Sequence, residues 1–223
     1  MRLVIPAAGC GTRFNCRNTP KCLLPIGRET ILSRLLRQAN SLKIDEVVVV
    51  VGFERFQIEN FIDRCKPQYS FSSISTTYNP MYADSNSIQS LLCGLGQVCE
   101  GRDTLVVDSD VILDEGVLQK FLSNVNGSAL LIDTLKMHSE IDMKAQVLRG
   151  CIVDLSKTLP LEATTGEFFG VSFFPDSEAK KLSRCCDELI SSGGSQLWYE
   201  DQGNRTLDAG KMFDKSFDHR VIP

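Results

Sequence analysis

Residues 3–27 read LVIPAAGCGTRFNCRNTPKCLLPIG, and this stretch indicates how the fold begins. A short apolar run leads into a turn of small residues, with glycines at positions 9 and 11. Glycines let backbone N–H groups approach a phosphate, because no Cβ stands between the two. Arg13 and Lys21 follow, and they offer a planar guanidinium and a compact ammonium to phosphate oxygens. The stretch therefore predicts a buried strand and a turn that binds the phosphates of a nucleotide.

The spacing in this turn differs from two common phosphate-binding motifs. It is not the GxxxxGK[ST] pattern of a P-loop, and it lacks the third glycine and the later acidic residue of a dinucleotide fingerprint. A glycine turn after a strand, with incidental basic residues nearby, is the simpler structural alternative.

Composition and charge narrow the class of protein. The chain has 223 residues, of which 43% are hydrophobic and 23% charged, as is typical of a globular protein with one proper core. We expect a single domain over residues 1–223. The net charge of −4 argues against a nucleic-acid surface. The oligomeric state is left open.

Two further features bear on location. No apolar run approaches the about 20 residues that span a bilayer, and the pattern of a signal peptide is not seen at the N-terminus. The nine cysteines include no CxxC pair, which favours reduced thiols over disulfides or a zinc site. We therefore expect a cytoplasmic protein without a membrane span.

Strand-like and helix-like patterns alternate along the chain. Five consecutive valines within residues 46–51 are typical of a buried parallel strand. Strands are predicted at residues 2–6, 46–51, 71–78, 104–107, 128–133, 145–153 and 167–174, and helices at 30–41, 57–65, 85–99, 114–123 and 176–192. This order predicts an α/β fold, a Rossmann-like open and mostly parallel sheet with helices on both faces.

Two aspartates, Asp108 and Asp110, directly follow the strand predicted at 104–107. Ligands of open α/β sheets lie beyond the carboxyl ends of the strands, so this pair and the glycine turn should share one edge. Carboxylates at that edge suit Mg²⁺, which takes one or two of them together with phosphate oxygens. Aspartates that merely cap a helix in a polar loop would produce the same pattern.

The N-terminal stretch resembles the signature of the sugar-nucleotidyltransferase-like superfamily, AAGxGTR followed by a PK pair. The resemblance implies a GT-A-like fold and a Mg²⁺-dependent nucleotidyltransferase. It implies that Arg13 holds the leaving pyrophosphate, that Lys21 stabilises the α-phosphate, and that Asp110, or less directly Asp108, binds the metal. The residues implied to bind the nucleotide are Ala7, Ala8, Gly9, Gly11, Thr12 and Arg13.

A second segment, NPMYADSNSIQSL at residues 79–91, is similar to one branch of that superfamily. The branch comprises the bacterial phosphocholine cytidylyltransferases and their aminoethylphosphonate relatives. Met143-Lys144, residues 166–171 and residues 198–201 look like the same branch. The resemblance implies transfer of CMP from CTP to phosphocholine or a similar small phosphate or phosphonate, with release of pyrophosphate.

Site residues toward the two substrates follow from this branch. Asn86 and Ser87 would face the base or ribose, although simple helix capping explains them equally well. Lys144 is either a second phosphate-binding cation or a solvated lysine. Aromatic faces beside carboxylates suit a choline-like cation, and the candidate acceptor residues are Tyr82, Glu167, Trp198 and Tyr199.

The chain departs from the family pattern in places. Proline stands at position 6, where leucine is more usual, and the D-x-D-T-like acidic turn near the family's C-terminus is not found. We assign the second metal carboxylate to Asp201, with Glu200, Asp208 or a truncated chain as alternatives. A sugar-1-phosphate nucleotidyltransferase that uses UTP, CTP or dTTP is a rival function, and a non-catalytic nucleotide-binding domain of the same fold is another.

Overall fold

The computed structural model describes residues 1–11, 18–96, 101–135 and 142–197. Within these ranges the chain forms ten strands and five α-helices. The strands are β1 (Arg2–Ala7), β2 (Pro25–Ile26), β3 (Glu29–Thr30), β4 (Glu46–Val51), β5 (Ser73–Tyr78), β6 (Thr104–Val107), β7 (Ala129–Asp133), β8 (Lys144–Leu148), β9 (Cys151–Ser156) and β10 (Gly166–Phe174). The helices are α1 (Ile31–Ser41), α2 (Arg55–Cys65), α3 (Ser87–Gly96), α4 (Val117–Asn124) and α5 (Asp176–Ser191).

Eight of the strands form one sheet in the order β5-β4-β1-β6-β10-β8-β9, with β7 paired to β10. The run β5-β4-β1-β6 is parallel, and the strands added beyond it are antiparallel to their neighbours. The predicted open α/β sheet with flanking helices is confirmed. Because β1 and β6 are adjacent and parallel, the segments that follow them emerge at the same edge.

Alternate residues of the central strands face opposite helical layers. Leu3 and Ile5 pack with buried residues of α1, α2 and α4, whereas Val4 packs with residues of α3 and α5. This two-sided burial explains why β1 and β4 are apolar at almost every position. At Gly94 of α3 a Cβ would lie 2.5 Å from Cγ1 of Val4, so glycine lets the helix approach the sheet closely.

Several element boundaries differ from those predicted. The single strand predicted at 145–153 is wrong, because the chain turns back at Arg149 and Gly150, both with positive φ, and forms the antiparallel pair β8 and β9. The helix predicted at 85–99 begins at Ser87, and the one at 114–123 begins at Val117. The small β2–β3 hairpin was not predicted, because two-residue strands have no periodicity to detect.

Helix α1 begins with a reciprocal capping box. Thr30 Oγ1 accepts the backbone N–H of Ser33 at 3.1 Å, and Ser33 Oγ accepts the backbone N–H of Thr30 at 2.8 Å. The cap fixes the direction in which α1 leaves the β2–β3 hairpin. In the part of the chain that the structure describes, no helix is long and apolar enough to cross a membrane.

Candidate active site

A cavity of about 360 Å³ opens at the carboxyl ends of β1 and β6. Three stretches of chain meet there: the turn after β1, the loop that leads into α3, and the segment after β6. The lining residues are Pro6, Ala7, Ala8, Gly9, Cys10, Gly11, Lys21, Cys22, Tyr82, Ala83, Ser85, Asn86, Ser87, Ser90, Asp108, Ser109 and Asp110. The predicted glycine turn and the predicted carboxylates therefore do share one site.

The turn after β1 is shaped by close contacts at glycines. Gly11 has φ +58°, and a Cβ there would lie 2.9 Å from Cε of Lys21, so glycine leaves room for the lysine stem. At Gly52 a Cβ would meet Cβ of Tyr82 at 2.5 Å. The backbone N–H of Phe53 donates to the carbonyl of Ala8 at 2.9 Å. The hydrogen bond holds the turn against the segment after β4, and the two glycines leave room for Lys21 and Tyr82.

Lys21 and Asp110 form an ion pair inside the cavity, with Nζ donating to Oδ2 at 2.9 Å. Lys21 lies in a 3-10 turn, Lys21–Leu23, that is anchored by the buried side chain of Cys22. The side chains of Lys21 and Asp110 are 28% and 48% exposed, so a ligand entering the cavity can reach both. The fold thus joins the cation predicted for the α-phosphate to the carboxylate predicted for the metal.

Asp108 is supported by a glycine whose position in the site was not predicted. The backbone N–H of Asp108 donates to the carbonyl of Gly170 at 2.8 Å. Gly170 has φ +71°, and a Cβ there would lie 3.0 Å from Oδ2 of Asp108 and 2.6 Å from Cγ2 of Val111. The pairing of β10 with β7 shifts register between Phe168 and Ser172, on either side of this glycine. A glycine inside an apolar strand is a known sign of such a close approach.

The loop before α3 supplies the polar wall of the cavity. Asn79 is buried, donates from Nδ2 to Oγ of Ser90 at 3.0 Å, and accepts the N–H of Met81 at 2.9 Å. Sequence reasoning did not assign Ser90 to the site, although it falls within the 79–91 segment. Tyr82, predicted for the acceptor, lines the same cavity as the glycine turn.

Asn86 ties this wall to the chain that follows α5. Its backbone N–H donates to the carbonyl of Ser195 at 3.0 Å, and its side-chain amide donates to the carbonyl of Gln196. The amide of Gln196 in turn donates to the carbonyl of Asp84. Asn86 therefore both lines the cavity and makes a structural contact. The sequence pattern alone does not decide between these two roles.

The thiols in the cavity are uncharged at neutral pH. Burial raises the pKa of the Cys22 thiol to about 12 and also raises the pKa of the Cys10 thiol above its usual value. Protonated thiols add no negative charge that would repel the phosphates of a nucleotide.

Two predicted residues do not line this cavity. Lys144 is 2% exposed in β8, and its ammonium donates to the carbonyl of Lys157. Glu167 lies opposite it in β10, in register with Lys144. Their roles toward phosphate and acceptor stay predictions. Five other predicted residues lie outside the described ranges: Thr12, Arg13, Trp198, Tyr199 and Asp201.

The carboxylates of Asp108 and Asp110 are a donor set that suits Mg²⁺ arriving with a nucleotide. Among the residues described, no three His, Cys, Asp or Glu side chains group together as a metal cage would require. Mg²⁺ does not need such a cage, because it usually takes one or two carboxylates plus phosphate oxygens and waters.

The site has a glycine turn, a lysine and two carboxylates at the carboxyl edge of an open α/β sheet. This arrangement is the one expected of a nucleotidyltransferase. The chain belongs to the family of MobA-like NTP transferase domains, whose model matches residues 3–138. A choline-phosphate cytidylyltransferase of Haemophilus influenzae is 32% identical over 198 residues, which are 86% of this chain and 76% of the relative. The family resemblance predicted from the sequence is confirmed.

Solved structures agree on the fold. A CTP:phosphocholine cytidylyltransferase from Streptococcus pneumoniae superposes with a TM-score of 0.68 at 21% identity, covering 99% of this chain and 88% of the other. A UDP-glucose pyrophosphorylase from Acinetobacter baumannii superposes with a TM-score of 0.66 at 17% identity, covering 91% and 86%. At these identities the two structures show the fold alone.

Proposed function

We propose that this nucleotidyltransferase transfers CMP from CTP to phosphocholine or a similar small phosphate or phosphonate. The observation that carries the proposal is the 32% identity to the Haemophilus cytidylyltransferase across 86% of this chain. The cavity supports the reaction class, because its Lys21–Asp110 pair lies beside the glycine turn at the sheet edge. The partners would be CTP, or another NTP, and one small acceptor.

The proposed chemistry is a displacement at the α-phosphorus. An oxygen of the acceptor phosphate forms a bond to that phosphorus, the bond to the β-phosphate oxygen breaks, and pyrophosphate leaves with the electron pair. The acceptor oxygen is already anionic, so no strong general base is required. Catalysis then depends on positioning and on neutralising charge.

The chain's own residues can meet both needs. Gly9 and Gly11 line the cavity, and the backbone N–H groups around them would bind phosphate oxygens. The Lys21 ammonium, which contacts Asp110 at 2.9 Å, would turn to the α-phosphate when nucleotide enters. Asp110 and Asp108 would hold Mg²⁺, which when bound neutralises charge on the phosphate oxygens.

A sugar-1-phosphate nucleotidyltransferase is the second candidate. The cavity wall at Ser85, Asn86 and Ser87 carries hydrogen-bonding side chains, which suit a polyol as well as a base or ribose. The shared fold with the UDP-glucose pyrophosphorylase is compatible with it. A non-catalytic domain is less favoured, because a nucleotide sensor has no need for a lysine paired with a carboxylate in the cavity.

The compartment is part of the same proposal. We propose a cytoplasmic protein, because reduced cysteines are usual there. Cys10 and Cys22 in the cavity are thiols and not half-cystines.

Pyrophosphate release tests the function. ATP, GTP, CTP, UTP and dTTP are each combined with phosphocholine, aminoethylphosphonate and glucose-1-phosphate, with and without Mg²⁺. Release that requires CTP, Mg²⁺ and an amine-bearing acceptor is the expected result. Release with glucose-1-phosphate would favour the second candidate. No release with any pair, while nucleotide still binds, would favour a non-catalytic domain.

A further inference from the structure

Helix α1 reaches the segment that carries Asp110. Arg34 Nε donates to the carbonyl of Leu113 at 2.9 Å, and Gln38 Nε2 donates to the same carbonyl at 3.1 Å. Leu113 and Gln38 are buried, and Arg34 is partly buried. A carbonyl that accepts two side-chain donors, one of them charged, is strongly fixed in place. It lies three residues after Asp110.

The same helix also holds the segment that carries Lys21. Arg34 Nη1 donates to Glu29 Oε1 at 3.1 Å, and Glu29 belongs to the hairpin that follows the Lys21 turn. Arg37 donates to Glu29 at 3.1 Å and to Glu115 at 2.6 Å. The arginines hold the pKa of both carboxyl groups below its usual range, so both stay charged at neutral pH. Arg34 is thus bonded to both segments.

We propose that Arg34 and Gln38 are positioning residues that orient Asp110 for the metal and for Lys21. Neither side chain lines the cavity, so both act through the backbone of residues 110–113. The Lys21–Asp110 contact joins residues 89 positions apart, and α1 is bonded to both of their segments. The inference rests on the proposed function, because it assumes that Asp110 binds a divalent cation.

Outer partners of metal ligands act in a characteristic way. Their loss weakens metal binding about 10–100-fold, because the ligand is no longer held in one orientation. For Arg34→Ala we expect the lower end, about tenfold, because Arg34 acts on the Leu113 carbonyl and not on Asp110 itself, and because Gln38 still donates to that carbonyl. The variant that lacks both donors, Arg34→Ala with Gln38→Ala, should lose more.

Arg37→Ala is the matched control. Arg37 shares both Glu29 and Glu115 with Arg34, and among the described residues its ion pairs are with these two carboxylates, whereas Arg34 also donates to the Leu113 carbonyl. A purely structural role of the charge network predicts similar defects in both single variants. A positioning role predicts a metal defect in Arg34→Ala and less than a twofold change in Arg37→Ala.

The experiment uses the full chain and Mn²⁺ as the probe. Free Mn²⁺ is measured by electron paramagnetic resonance during titration, and the Mg²⁺ concentration for half-maximal pyrophosphate release is measured alongside. Both constants should rise about tenfold in Arg34→Ala, while kcat at saturating Mg²⁺ falls much less. Thermal melts check that the variants are folded. If Arg34→Ala does not fold, Gln38→Ala replaces it as the test variant.

Two outcomes would overturn the inference in distinguishable ways. If wild type binds Mn²⁺ through Asp110, as loss in Asp110→Asn shows, but Arg34→Ala matches Arg37→Ala, only the positioning role is refuted. If Asp110→Asn binds Mn²⁺ as wild type does, the proposed metal site is refuted and the positioning role with it.

Discussion

Replacing Gly170 with alanine should destabilise the fold next to the active site. Gly170 lies in β10 with φ +71°, and its carbonyl accepts the backbone N–H of Asp108. The new Cβ would lie 2.6 Å from Cγ2 of Val111 and 3.0 Å from Cβ and Oδ2 of Asp108. The substitution therefore both strains the backbone and crowds the carboxylate of Asp108, which lines the cavity.

The expected cost has two parts. A left-handed conformation costs an L-residue about 1–2 kcal/mol, and overpacking by one methyl group costs about 1–3 kcal/mol. The free energy of unfolding should therefore fall by about 2–5 kcal/mol. For a chain of this size each kcal/mol lowers the Tm by about 2–4 °C, so a decrease of roughly 4–20 °C is expected.

The variant Gly27→Ala separates the backbone cost from the packing cost. Gly27 has φ +63°, and nothing lies within 4 Å of a Cβ built there, so this variant suffers the backbone cost alone. Differential scanning calorimetry of both variants and wild type gives the comparison. Equal melting temperatures for Gly170→Ala and Gly27→Ala would refute the claim that the contact with Asp108 and Val111 matters.

Four further predictions concern the cavity. Lys21→Ala should lower kcat for pyrophosphate release about 100-fold with a smaller change in the KM for CTP, because its ammonium is proposed to act at the reacting phosphate; equal losses in both would argue against that role. Asp110→Asn should remove activation by Mg²⁺ in the same assay, and a normal Mg²⁺ response would place the metal elsewhere. Gln196→Ala should raise the KM for nucleotide more than it lowers kcat, since its contact with Asp84 holds the polar wall; an unchanged KM would contradict this. Alkylation of Cys10 by iodoacetamide, followed by mass spectrometry, should be slow at pH 7 and faster as the pH rises, because burial raises the pKa of its thiol and the thiolate is the reactive form. Rapid labelling at pH 7 that CTP does not slow would count against the place of Cys10 in the proposed nucleotide pocket.

Local sequence patterns were sufficient for much of the fold. The valine run of β4 marks a strand buried on both faces, and the amphipathic pattern of α1 marks a helix that packs on one face of the sheet. One predicted strand was wrong because of a backbone reversal, which lies at Arg149 and Gly150 between β8 and β9. Periodicity does not report a turn when both sides of it share the same alternation.

The candidate site was predictable to the extent that it depends on strand ends. Glycines 9 and 11 and the carboxylates 108 and 110 follow apolar strands, and the parallel topology brings such ends to one edge. The predicted role of Lys144 toward phosphate does not follow from strand ends and stays a prediction. Its residue type suits phosphate, but its place inside the antiparallel half of the sheet buries it against the carbonyl of Lys157.

The sequence by itself determined most of the strands and helices, the glycine turn after β1 and the family, because these depend on periodicity, residue type and spacing within short stretches. Only the tertiary structure decided the partners: Lys21 with Asp110, Arg34 with the Leu113 carbonyl, and Gly170 against Asp108. These contacts join residues 62 to 89 positions apart, and side-chain contacts over such separations depend on how helices pack on the sheet. No local propensity encodes that packing, since it arises from burying both faces of the sheet at once.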